Sequence, residues 1–400
     1  MQEKVVIIGA GAAGCFCAIE LKRRTPGAAV TVLEAGARPL AKVSVTGGGR
    51  CNISNTFASV GTLSEVYPRG EKLIRQAFRA FSPEDTHRWW EAEGVRLVAE
   101  PDGRLFPASQ DAMQVVRTLE RLMRQLGAEV RCKAKVEKIS HVAGGYRLTL
   151  AGGETIRADK VVVTTGGGAL GLIEGLDIDI IPPVPSLFTF KLSDPGIKDL
   201  TGTSVNDVTL ALAGTKLRSS GTLLLTDWGV SGPATLRLSS YAARYLSEAA
   251  YKATLLINWL STTEAGAREW LLSAAASNTG KMVSSVRPDR LTARLWGHLL
   301  KRAGLREDIR WAELGSKGLN RLVAVLTADS YEITGRAKFK EEFVSAGGVS
   351  CSAVDPSTLE SRRCHGLFFA GEVLDIDALT GGFNLQAAWS TGATVARSIV

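Results

Sequence analysis

The stretch Lys4–Gly14, KVVIIGAGAAG, leads from a short run of β-branched residues directly into a glycine-rich turn. Gly9, Gly11 and Gly14 have the spacing G-x-G-x-x-G, and residues 15–24 are predicted to form a helix. In a dinucleotide-binding turn the first glycine permits the turn, the second lets a pyrophosphate approach, and the third lets the helix pack on the strand. The stretch therefore predicts the start of a βαβ unit that binds a dinucleotide.

An acidic residue completes this unit. A second strand is predicted for residues 29–33, and Glu34 at its end lies twenty residues after Gly14. A carboxylate there accepts hydrogen bonds from both hydroxyl groups of a ribose, and it would repel a 2′-phosphate. The N-terminus of the intervening helix offers unpaired N–H groups to the phosphates. The predicted contacts in this unit are Gly9, Gly11, Ala12, Ala13, Gly14, Glu34 and Ala35.

Two distant segments are predicted to return to the same nucleotide, which favours FAD over a nicotinamide dinucleotide. Residues 160–168, KVVVTTGGG, indicate a buried strand that ends in glycines. Gly366–Val400 indicates a strand, a polar loop with Gly381–Gly382, and a terminal helix. There is no second unit of strand, glycine-rich turn, helix, strand and acidic residue. NAD(P)H would therefore dock only transiently, as an electron donor.

Six motifs are spread in order over almost the whole chain: GAGAAG, KVSVTGGGRCNISN (42–55), DGRLFP (102–107), LLLTDWGVSGPA (223–234), AGGV (346–349) and GEVLDIDALTGGFNLQAAWSTG (371–392). With these motifs the sequence resembles the bacterial YhiN-type flavoproteins, also described as aminoacetone-oxidase-like or NAD(P)/FAD-dependent oxidoreductases. The resemblance implies an α/β fold, with a Rossmann-like FAD-binding domain built from both chain ends. It also implies an inserted β-rich domain and an inserted helical domain.

The expected domain boundaries combine this resemblance with the periodicity of the chain. Residues from 262 to about 326 have helical periodicity, and alternating strands precede them. The expected domains are an FAD-binding domain (1–186 and 346–400), a β-rich insert (187–260 and 327–345) and a helical insert (261–326).

The resemblance also implies which residues line the flavin. The glycines of TGGGRCN would let the backbone lie against the cofactor, with Lys42 near the phosphates, Arg50 offsetting negative charge and Asn52 bonding the ring edge. The alternative is a tight glycine turn with a surface arginine. N–H groups at the start of the last helix would face the flavin edge that becomes negative on reduction. The expected contacts are Lys42, Val43, Gly48, Gly49, Arg50, Cys51, Asn52, Val136, Thr165, Gly166, Gly371, Glu372, Asp375, Gly381, Gly382, Phe383 and Asn384, and no metal ligands are expected.

Candidate catalytic residues come from the same motifs: Cys51, Arg104 and Asn384. Cys51 is the most reactive residue type, and the neighbouring Arg50 is expected to lower its pKa; the alternative is a thiol packed under the flavin. Family members usually carry a histidine at the position of Asp227, so an acid/base role is not carried over to it. A family loop after TTGGG is missing here, which shortens one wall of the expected site. For Gln386 a cofactor contact and simple helix packing both stay open.

Composition limits the class of protein. The chain has 400 residues, 45% of them hydrophobic, and 42 glycines, which suits a loop-rich α/β protein. The six cysteines form no C-x-x-C pair, and no apolar run reaches the about 18 residues of a membrane helix. The N-terminus enters a strand at once, without room for a signal peptide. A cytoplasmic protein without membrane contact is expected.

Positive charge is concentrated in one segment. The net charge is +8, and Lys281–Arg321 holds ten Lys/Arg against four Asp/Glu. This segment is either a solvated helical surface or a surface for a polyanion such as structured RNA. Pro288 is expected to start a helix, with Arg290 and Arg294 on one of its faces.

Three functions remain open at this stage. The first is an FAD-dependent reductase of an activated C=C bond that uses NAD(P)H, with uridine in ribosomal RNA as one candidate substrate implied by the resemblance. The second is an oxidase of a small amine or aminoketone that uses O₂. The third is a flavin-holding RNA-binding or assembly factor. The basic segment distinguishes the first and third from the second, and the sequence leaves the oligomeric state open.

Overall fold

A computed structural model describes residues 3–337 and 344–399. The chain divides into two compact units: unit 1 is Met1–Val184 with Val344–Val400, and unit 2 is Pro185–Phe343. The expected boundaries at residues 186 and 346 lie two residues after those of unit 1. Residues 1–2, 338–343 and 400, which belong to the expected domain ranges, lie outside the described residues.

Nineteen strands occur in the described residues and are numbered in chain order. They are β1 (Lys4–Ile8), β2 (Ala29–Leu33), β3 (Ser54–Asn55), β4 (Leu97–Ala99), β5 (Arg104–Pro107), β6 (Glu129–Arg131), β7 (Val136–Val142), β8 (Gly145–Leu150), β9 (Thr155–Ala158), β10 (Lys160–Val163), β11 (Ile180–Ser186), β12 (Phe190–Leu192), β13 (Ser204–Leu212), β14 (Arg218–Thr226), β15 (Gly229–Ser231), β16 (Ala253–Asn258), β17 (Asp329–Arg336), β18 (Val344–Val349) and β19 (Leu367–Phe369).

The same part of the chain contains eleven α-helical segments. They are α1 (Ala12–Arg24), α2 (Thr46–Gly49), α3 (Glu71–Ala80), α4 (Pro83–Ala92), α5 (Ala112–Gln125), α6 (Pro233–Tyr241), α7 (Ala243–Glu248), α8 (Glu264–Ser277), α9 (Ala293–Arg302), α10 (Gly315–Ala328) and α11 (Phe383–Ser398).

The centre of unit 1 is a five-stranded parallel sheet with the order β19-β10-β1-β2-β6. Val6 of β1 lies between Val161 of β10 and Thr31 of β2, and Val162 lies beside Phe368 of β19. The expected Rossmann-like fold is thereby confirmed, and β19 shows that the C-terminal part of the chain belongs to it. Because parallel strands end at the same edge, the loops after β1, β10 and β19 meet there.

Helices α1 and α11 pack closely beside this sheet. A Cβ on Gly392 of α11 would lie 2.8 Å from the carbonyl oxygen of Ala13 in α1, so glycine permits the approach. Phe16 of α1 and Trp389 of α11 are fully buried, with ring centroids 5.4 Å apart. This contact fixes the start of α11 relative to the glycine-rich turn before α1.

Three smaller sheets complete unit 1 in the described residues: β3-β5-β4, β7-β8-β9 and the pair β11-β18. In the first of these, Asn55 of β3 pairs with Arg104 of β5 in antiparallel register. This pairing brings the DGRLFP motif beside the TGGGRCN segment, two parts of the sequence that lie far apart.

Unit 2 contains a closed barrel with the strand order β12-β15-β14-β13-β16-β17. Barrel residues and the helices α8–α10 share one apolar core. The ring centroid of Trp270 lies 6.2 Å from that of Trp296 and 6.4 Å from that of Trp311, and all three rings pack in or against this core. The division of this unit into a β-rich and a helical domain stays a prediction.

The expected helix start at Pro288 is wrong. The carbonyl of Pro288 accepts a bond from the Leu291 N–H in a turn, and Thr292 caps α9 by accepting from the Leu295 N–H. Arg290 therefore lies in the loop before α9, and only Arg294 belongs to the helix.

Candidate cofactor site in unit 1

The turn between β1 and α1 shows a distinct constraint on each of its three glycines. Gly9 has φ +106°, and a Cβ there would lie 2.6 Å from the carbonyl oxygen of Thr164. A Cβ on Gly14 would lie 2.0 Å from the carbonyl oxygen of Gly9. A Cβ on Gly11 would meet nothing within 4 Å. Packing therefore requires the first and third glycines, whereas the second borders open space, as a phosphate-binding position should.

The start of α1 lies beside the C-terminal segment of unit 1. Gly11 is the N-cap residue of α1, and it has no side chain that could cap the helix. The first N–H groups of α1 therefore have no side-chain acceptor from the N-cap residue. A Cβ on Gly371 would lie 2.9 Å from the Cβ of Ala13, and the Gly371 N–H donates to Thr391 Oγ1 at 2.9 Å. The contact brings Ala13 of α1 and Gly371 together.

Glu34 ends β2, and backbone groups orient its carboxylate. One carboxylate oxygen accepts from the Ala10 N–H at 2.9 Å, and the other accepts from the Gly36 N–H at 2.6 Å. Each oxygen keeps further acceptor capacity for a ribose hydroxyl. The Glu34 carbonyl accepts from the Ala134 N–H at 2.8 Å, which places the chain just before Val136 at this acid. Ala35, next to Glu34, is exposed.

The loop after β10 presents an unpaired hydroxyl. Thr164 Oγ1 donates to the carbonyl of Gly9 at 2.8 Å and ties this loop to the glycine-rich turn. Thr165 Oγ1 is buried and has no hydrogen-bond partner among the described residues. A buried hydroxyl without a partner is costly, so this position points to a group that binds there.

Lys42, Gly166 and Glu372 converge as well. Lys42 Nζ lies 3.8 Å from a carboxylate oxygen of Glu372, and a Cβ on Gly166 would lie 3.4 Å from that same oxygen. The other carboxylate oxygen accepts from the Ser345 N–H at 3.1 Å. The Lys42 side chain is 84% exposed, so its ammonium group stays accessible for a phosphate.

The triple glycine has a backbone that other residues rarely adopt. Gly47, Gly48 and Gly49 have φ values of +59°, +68° and +83°. The left-handed conformation costs an L-residue about 1–2 kcal/mol. Cβ atoms on Gly48 and Gly49 would meet nothing within 4 Å, whereas one on Gly47 would lie 3.0 Å from the Asn52 nitrogen. The turn is therefore fixed at Gly47 and open at the next two glycines. Val43, just before this turn, lies in the core.

Cys51 is fully buried behind this turn. Burial raises the pKa of its thiol to about 12, opposed by a hydrogen bond with Thr46 that lowers it. The expectation that Arg50 lowers the pKa of Cys51 is wrong, because desolvation dominates. A thiol that stays protonated and enclosed suits packing better than catalysis.

Arg50 and Arg104 are held together by Glu100, a residue that the sequence did not single out. One carboxylate oxygen of Glu100 lies 2.9 Å from Arg50, and the other lies 2.5 Å from Arg104. The two guanidinium carbons lie 4.2 and 5.6 Å from the ring centroid of Phe106. Phe106 and Arg104 of the DGRLFP motif therefore form a platform with Arg50 of the TGGGRCN segment, and this platform carries two cations.

The start of α11 is joined to the segment after Cys51. A Cβ on Gly382 would lie 2.2 Å from the carbonyl oxygen of Ser54, so the two backbones touch. In the orientation that satisfies its amide, Asn52 accepts from the Gly382 N–H at 2.9 Å and donates to Ser54 O at 2.9 Å. Asn55 Nδ2 donates to the carbonyl of Gly381 at 3.0 Å. The two expected flavin-lining segments thus form one surface.

Asn384 and Gln386 are engaged within the protein. Both ends of the Asn384 amide bond the backbone of Ala378, each at 3.0 Å. Gln386 is fully buried and donates to Thr86 Oγ1 at 2.8 Å and to Ser390 Oγ at 2.9 Å. Gln386 therefore serves helix packing, and Asn384 is not poised to transfer a proton.

The loop before α11 contains a buried ion pair that the sequence reading missed. Arg69 forms two bonds with the carboxylate of Asp377, which is completely buried. The neighbouring Asp375 is buried too, and its N–H donates to the carbonyl of Val349. Two aspartates in the otherwise apolar stretch LDIDAL were a signal that this loop is built around polar contacts.

A family model described as "HI0933-like protein Rossmann domain" matches residues 3–398. The chain belongs to this family. It is 28% identical to the "Ribosomal RNA dihydrouridine synthase" of Escherichia coli (strain K12), over 99% of this chain and 97% of that protein. It is 27% identical to the "3-dehydro-bile acid delta(4,6)-reductase" of Clostridium scindens, over 99% of each.

Among solved structures, the 3-ketosteroid-Δ4-(5α)-dehydrogenase of Rhodococcus jostii RHA1 matches with a TM-score of 0.50 and 14% identity. The match covers 98% of this chain and 97% of the dehydrogenase, and it shows a common fold. As a member of this family, the chain is an FAD-dependent oxidoreductase. The predicted family, fold class and enzyme class are confirmed.

The residues of unit 1 fit FAD. The open side of Gly11, the unpaired Thr165 hydroxyl, the carboxylate of Glu34 and the open triple glycine lie on segments linked by direct contacts. No cluster of three or more metal-ligating side chains occurs within residues 3–337 and 344–399. In the same residues no helix is long and apolar enough to cross a membrane.

The basic segment of unit 2 is partly neutralised. Lys301 Nζ lies 3.0 Å from Glu307, and Arg302 lies 2.7 Å from both Asp194 and Asp329. The guanidinium of Arg294 donates to Thr203 Oγ1 at 2.9 Å.

Arg290 of the same basic segment donates to the carbonyl of Leu260 at 3.1 Å.

Asp227, to which no acid/base role was carried over, lies in the turn between β14 and β15 of unit 2.

Proposed function

We propose that this enzyme reduces a carbon–carbon double bond conjugated to a carbonyl group, with NAD(P)H as the electron source. The two relatives described above have names that describe reductions of such bonds, although ribosomal RNA and a bile acid are unrelated substrates. This shared reaction class carries the proposal. The overall change adds a hydride from NAD(P)H and a proton across the double bond, and NAD(P)⁺ and the saturated product form in equal amounts.

In this proposal unit 1 binds FAD along its linked segments. The start of α1 and Lys42 hold the phosphates, Glu34 holds the adenosine ribose, and the chain near Val136 borders the adenine. Thr165 supplies a hydroxyl, and the triple glycine with the start of α11 faces the isoalloxazine ring. FAD so bound would accept a hydride from the nicotinamide and deliver it to a substrate carbon.

Two arginines are proposed to bind the substrate oxygen. Arg50 and Arg104 lie beside the open Gly48–Gly49 turn, and Glu100 fixes their orientation. A cation near a conjugated carbonyl oxygen stabilises the negative charge that develops when hydride adds to the double bond. Cys51 and Asn384, the other two catalytic candidates, are respectively buried and engaged with backbone. Arg104 is therefore the favoured catalytic candidate.

Transient docking of NAD(P)H agrees with the fold. The described residues contain one five-stranded parallel sheet, and its fingerprint turn is the one before α1. The letters G-x-G-x-x-G recur at Gly166–Gly171, but a 3₁₀ turn at Leu170–Ile173 follows them instead of a helix. This second stretch therefore lacks the helix N-terminus that would bind a second pyrophosphate.

The proposal is tested by anaerobic mixing with NADH and with NADPH while the flavin absorbance is followed. We expect one nucleotide to bleach the flavin, and a conjugated enone or uridine-containing ribosomal RNA to restore the colour without oxygen. If only oxygen restored it, and an aminoketone could bleach it, the amine oxidase would be the better assignment. The variant Glu100→Gln is expected to slow reoxidation by the substrate more than reduction by the nucleotide.

RNA is the favoured substrate class within this proposal, supported by the name of one relative and by the basic segment Lys281–Arg321. Lys281 and Lys317 are exposed, whereas several neighbouring arginines bond acids or backbone carbonyls. We expect Lys281→Glu/Lys317→Glu to weaken RNA binding and to reduce its salt dependence. Lys216→Glu, an exposed position of unit 2 outside the segment, is the matched control. Equal binding by all three proteins would favour a small substrate. RNA as substrate also agrees with the proposed cytoplasmic location.

A further inference from the structure

The loop between β19 and α11 is held to two other segments of unit 1. The Leu379 N–H donates to the carbonyl of Val66 at 2.9 Å, and Tyr67 Oη donates to the carbonyl of Phe383 at 2.8 Å. Tyr67 is fully buried, and burial raises its pKa well above the usual value, so the phenol keeps the proton that it donates. Together with the Arg69–Asp377 pair, these bonds tie the loop to residues 66–69.

A side chain of α11 itself closes this loop. Asn384 Oδ1 accepts from the Ala378 N–H at 3.0 Å, and its Nδ2 donates to the Ala378 carbonyl at 3.0 Å. The amide accepts through its oxygen and donates through its nitrogen, whereas an ionised carboxylate of the same length could only accept, because it has no donor. The residues between Ala378 and Asn384 include Gly381 and Gly382, whose φ values are +139° and +88°.

These glycines give the start of α11 conformational freedom, which Asn55 at Gly381 and Asn52 at Gly382 limit from the neighbouring segment. Glycine populates positive and negative φ about equally and loses the most conformational freedom on folding. A bond at each end of the Asn384 amide closes residues 378–384 into a ring and limits this freedom. The N–H groups at the start of α11 are thereby held in one orientation, which is the condition for stabilising an anionic group there.

We propose that Asn384 is a positioning residue: its two-sided bond to Ala378 fixes the start of α11 for the edge of the flavin that becomes negative on reduction. Asn384 acts through the backbone of residues 378–383 and transfers no proton. The inference rests on the proposed placement of the isoalloxazine ring at α11. The buried Arg69–Asp377 pair supports the same loop from its other side, because it neutralises the carboxylate next to Ala378.

The test is Asn384→Asp, with the affinity of the apoprotein for FAD measured by quenching of flavin fluorescence at pH 5 and pH 8. At pH 8 the aspartate is ionised, cannot donate to the Ala378 carbonyl, and repels it. We expect the Kd for FAD to rise at least tenfold relative to wild type at pH 8. The facing Ala378 carbonyl should raise the pKa of this aspartate above its usual value of about 3.9. At pH 5 part of the carboxyl is then protonated and regains a donor, and we expect the difference from wild type to be clearly smaller than at pH 8.

Asn258→Asp is the matched control. Asn258 in unit 2 also accepts from one backbone N–H, that of Leu260, and donates to one backbone carbonyl, that of Thr262. We expect this variant to bind FAD as wild type does at both pH values. A wild-type Kd for Asn384→Asp at pH 8, or an equal loss at both pH values, would overturn the inference.

Two further measurements separate the possible failures. If wild type did not bind FAD, the placement of the cofactor in unit 1 would fail, whatever the variants do. If Asn384→Asp did not fold at pH 8, Asn384→Ser, which keeps one hydrogen bond, takes its place. We expect Asn384→Ser to raise the Kd for FAD several-fold, by the same factor at pH 5 and at pH 8. An unchanged Kd would contradict a positioning role for Asn384.

Discussion

Alanine at Gly11 separates the binding role of the glycine-rich turn from its packing role. Gly11 has φ −84° and ψ −167°, which any residue can adopt, and a Cβ there meets nothing within 4 Å. The apoprotein therefore has room for the methyl group. At Gly14 the same methyl group would lie 2.0 Å from the carbonyl oxygen of Gly9 and 2.5 Å from Thr164 Oγ1. Gly11→Ala should therefore impair FAD binding and leave folding intact, whereas Gly14→Ala should impair folding.

The magnitudes follow from these contacts. For Gly11→Ala the unfolded chain loses entropy, which stabilises by about 0.4–1 kcal/mol, and a weaker N-cap offsets this gain. We therefore expect its free energy of unfolding to stay within about 1 kcal/mol of wild type. A methyl group in the path of the pyrophosphate removes one charge-assisted hydrogen bond, worth about 1.5–3 kcal/mol. This loss corresponds to a rise of about 10- to 150-fold in the Kd for FAD.

The assay combines thermal unfolding of both apoproteins with FAD titrations. Gly14→Ala is expected to destabilise the apoprotein by about 3 kcal/mol or more, because the backbone of β1 would have to move. Gly11→Ala is expected to melt like wild type and yet to bind FAD poorly. A wild-type Kd for Gly11→Ala would show that the pyrophosphate does not approach the backbone at this glycine, and the placement of the cofactor would be refuted.

Three other predictions address single side chains. Thr165→Val is expected to stabilise the apoprotein, since it removes a buried hydroxyl that has no described partner. It is also expected to weaken FAD binding by about 1 kcal/mol in the same titration. Cys51→Ala is expected to keep at least about a tenth of the turnover. Because burial raises the pKa of Cys51 from its usual value of 9.0 to about 12, this thiol should contribute a fall in wild-type stability of about 1.4 kcal/mol per pH unit between those two values, and the variant should lack that contribution. Arg302→Met is expected to destabilise unit 2 by about 3–5 kcal/mol at pH 7 in denaturant titrations, because Asp329 loses a partner. Burial raises the pKa of Asp329, so this loss should shrink as the pH falls and Asp329 takes up a proton.

Local sequence patterns determined the fold class and most of the expected cofactor contacts. The strand, glycine turn, helix, strand and acid between Lys4 and Glu34 form one continuous stretch, and the structure has each element where the spacing places it. Left-handed glycines at Gly47–Gly49 were predictable for the same reason, because backbone sterics act within a few residues. The family motifs indicated that both chain ends build one domain, and β19 in the parallel sheet confirms it.

Only the tertiary structure decided what the side chains of these motifs do. Arg50 stands beside Cys51 in sequence, yet its partner is Glu100, which the pairing of β3 with β5 brings close. Cys51 has a high pKa because distant parts of the chain exclude water from it. Asn384 bonds Ala378 across a loop, and Asp377 meets Arg69 across 308 residues. Sequence spacing determines backbone conformation within an element, whereas burial and pairing depend on which distant residues the fold brings together.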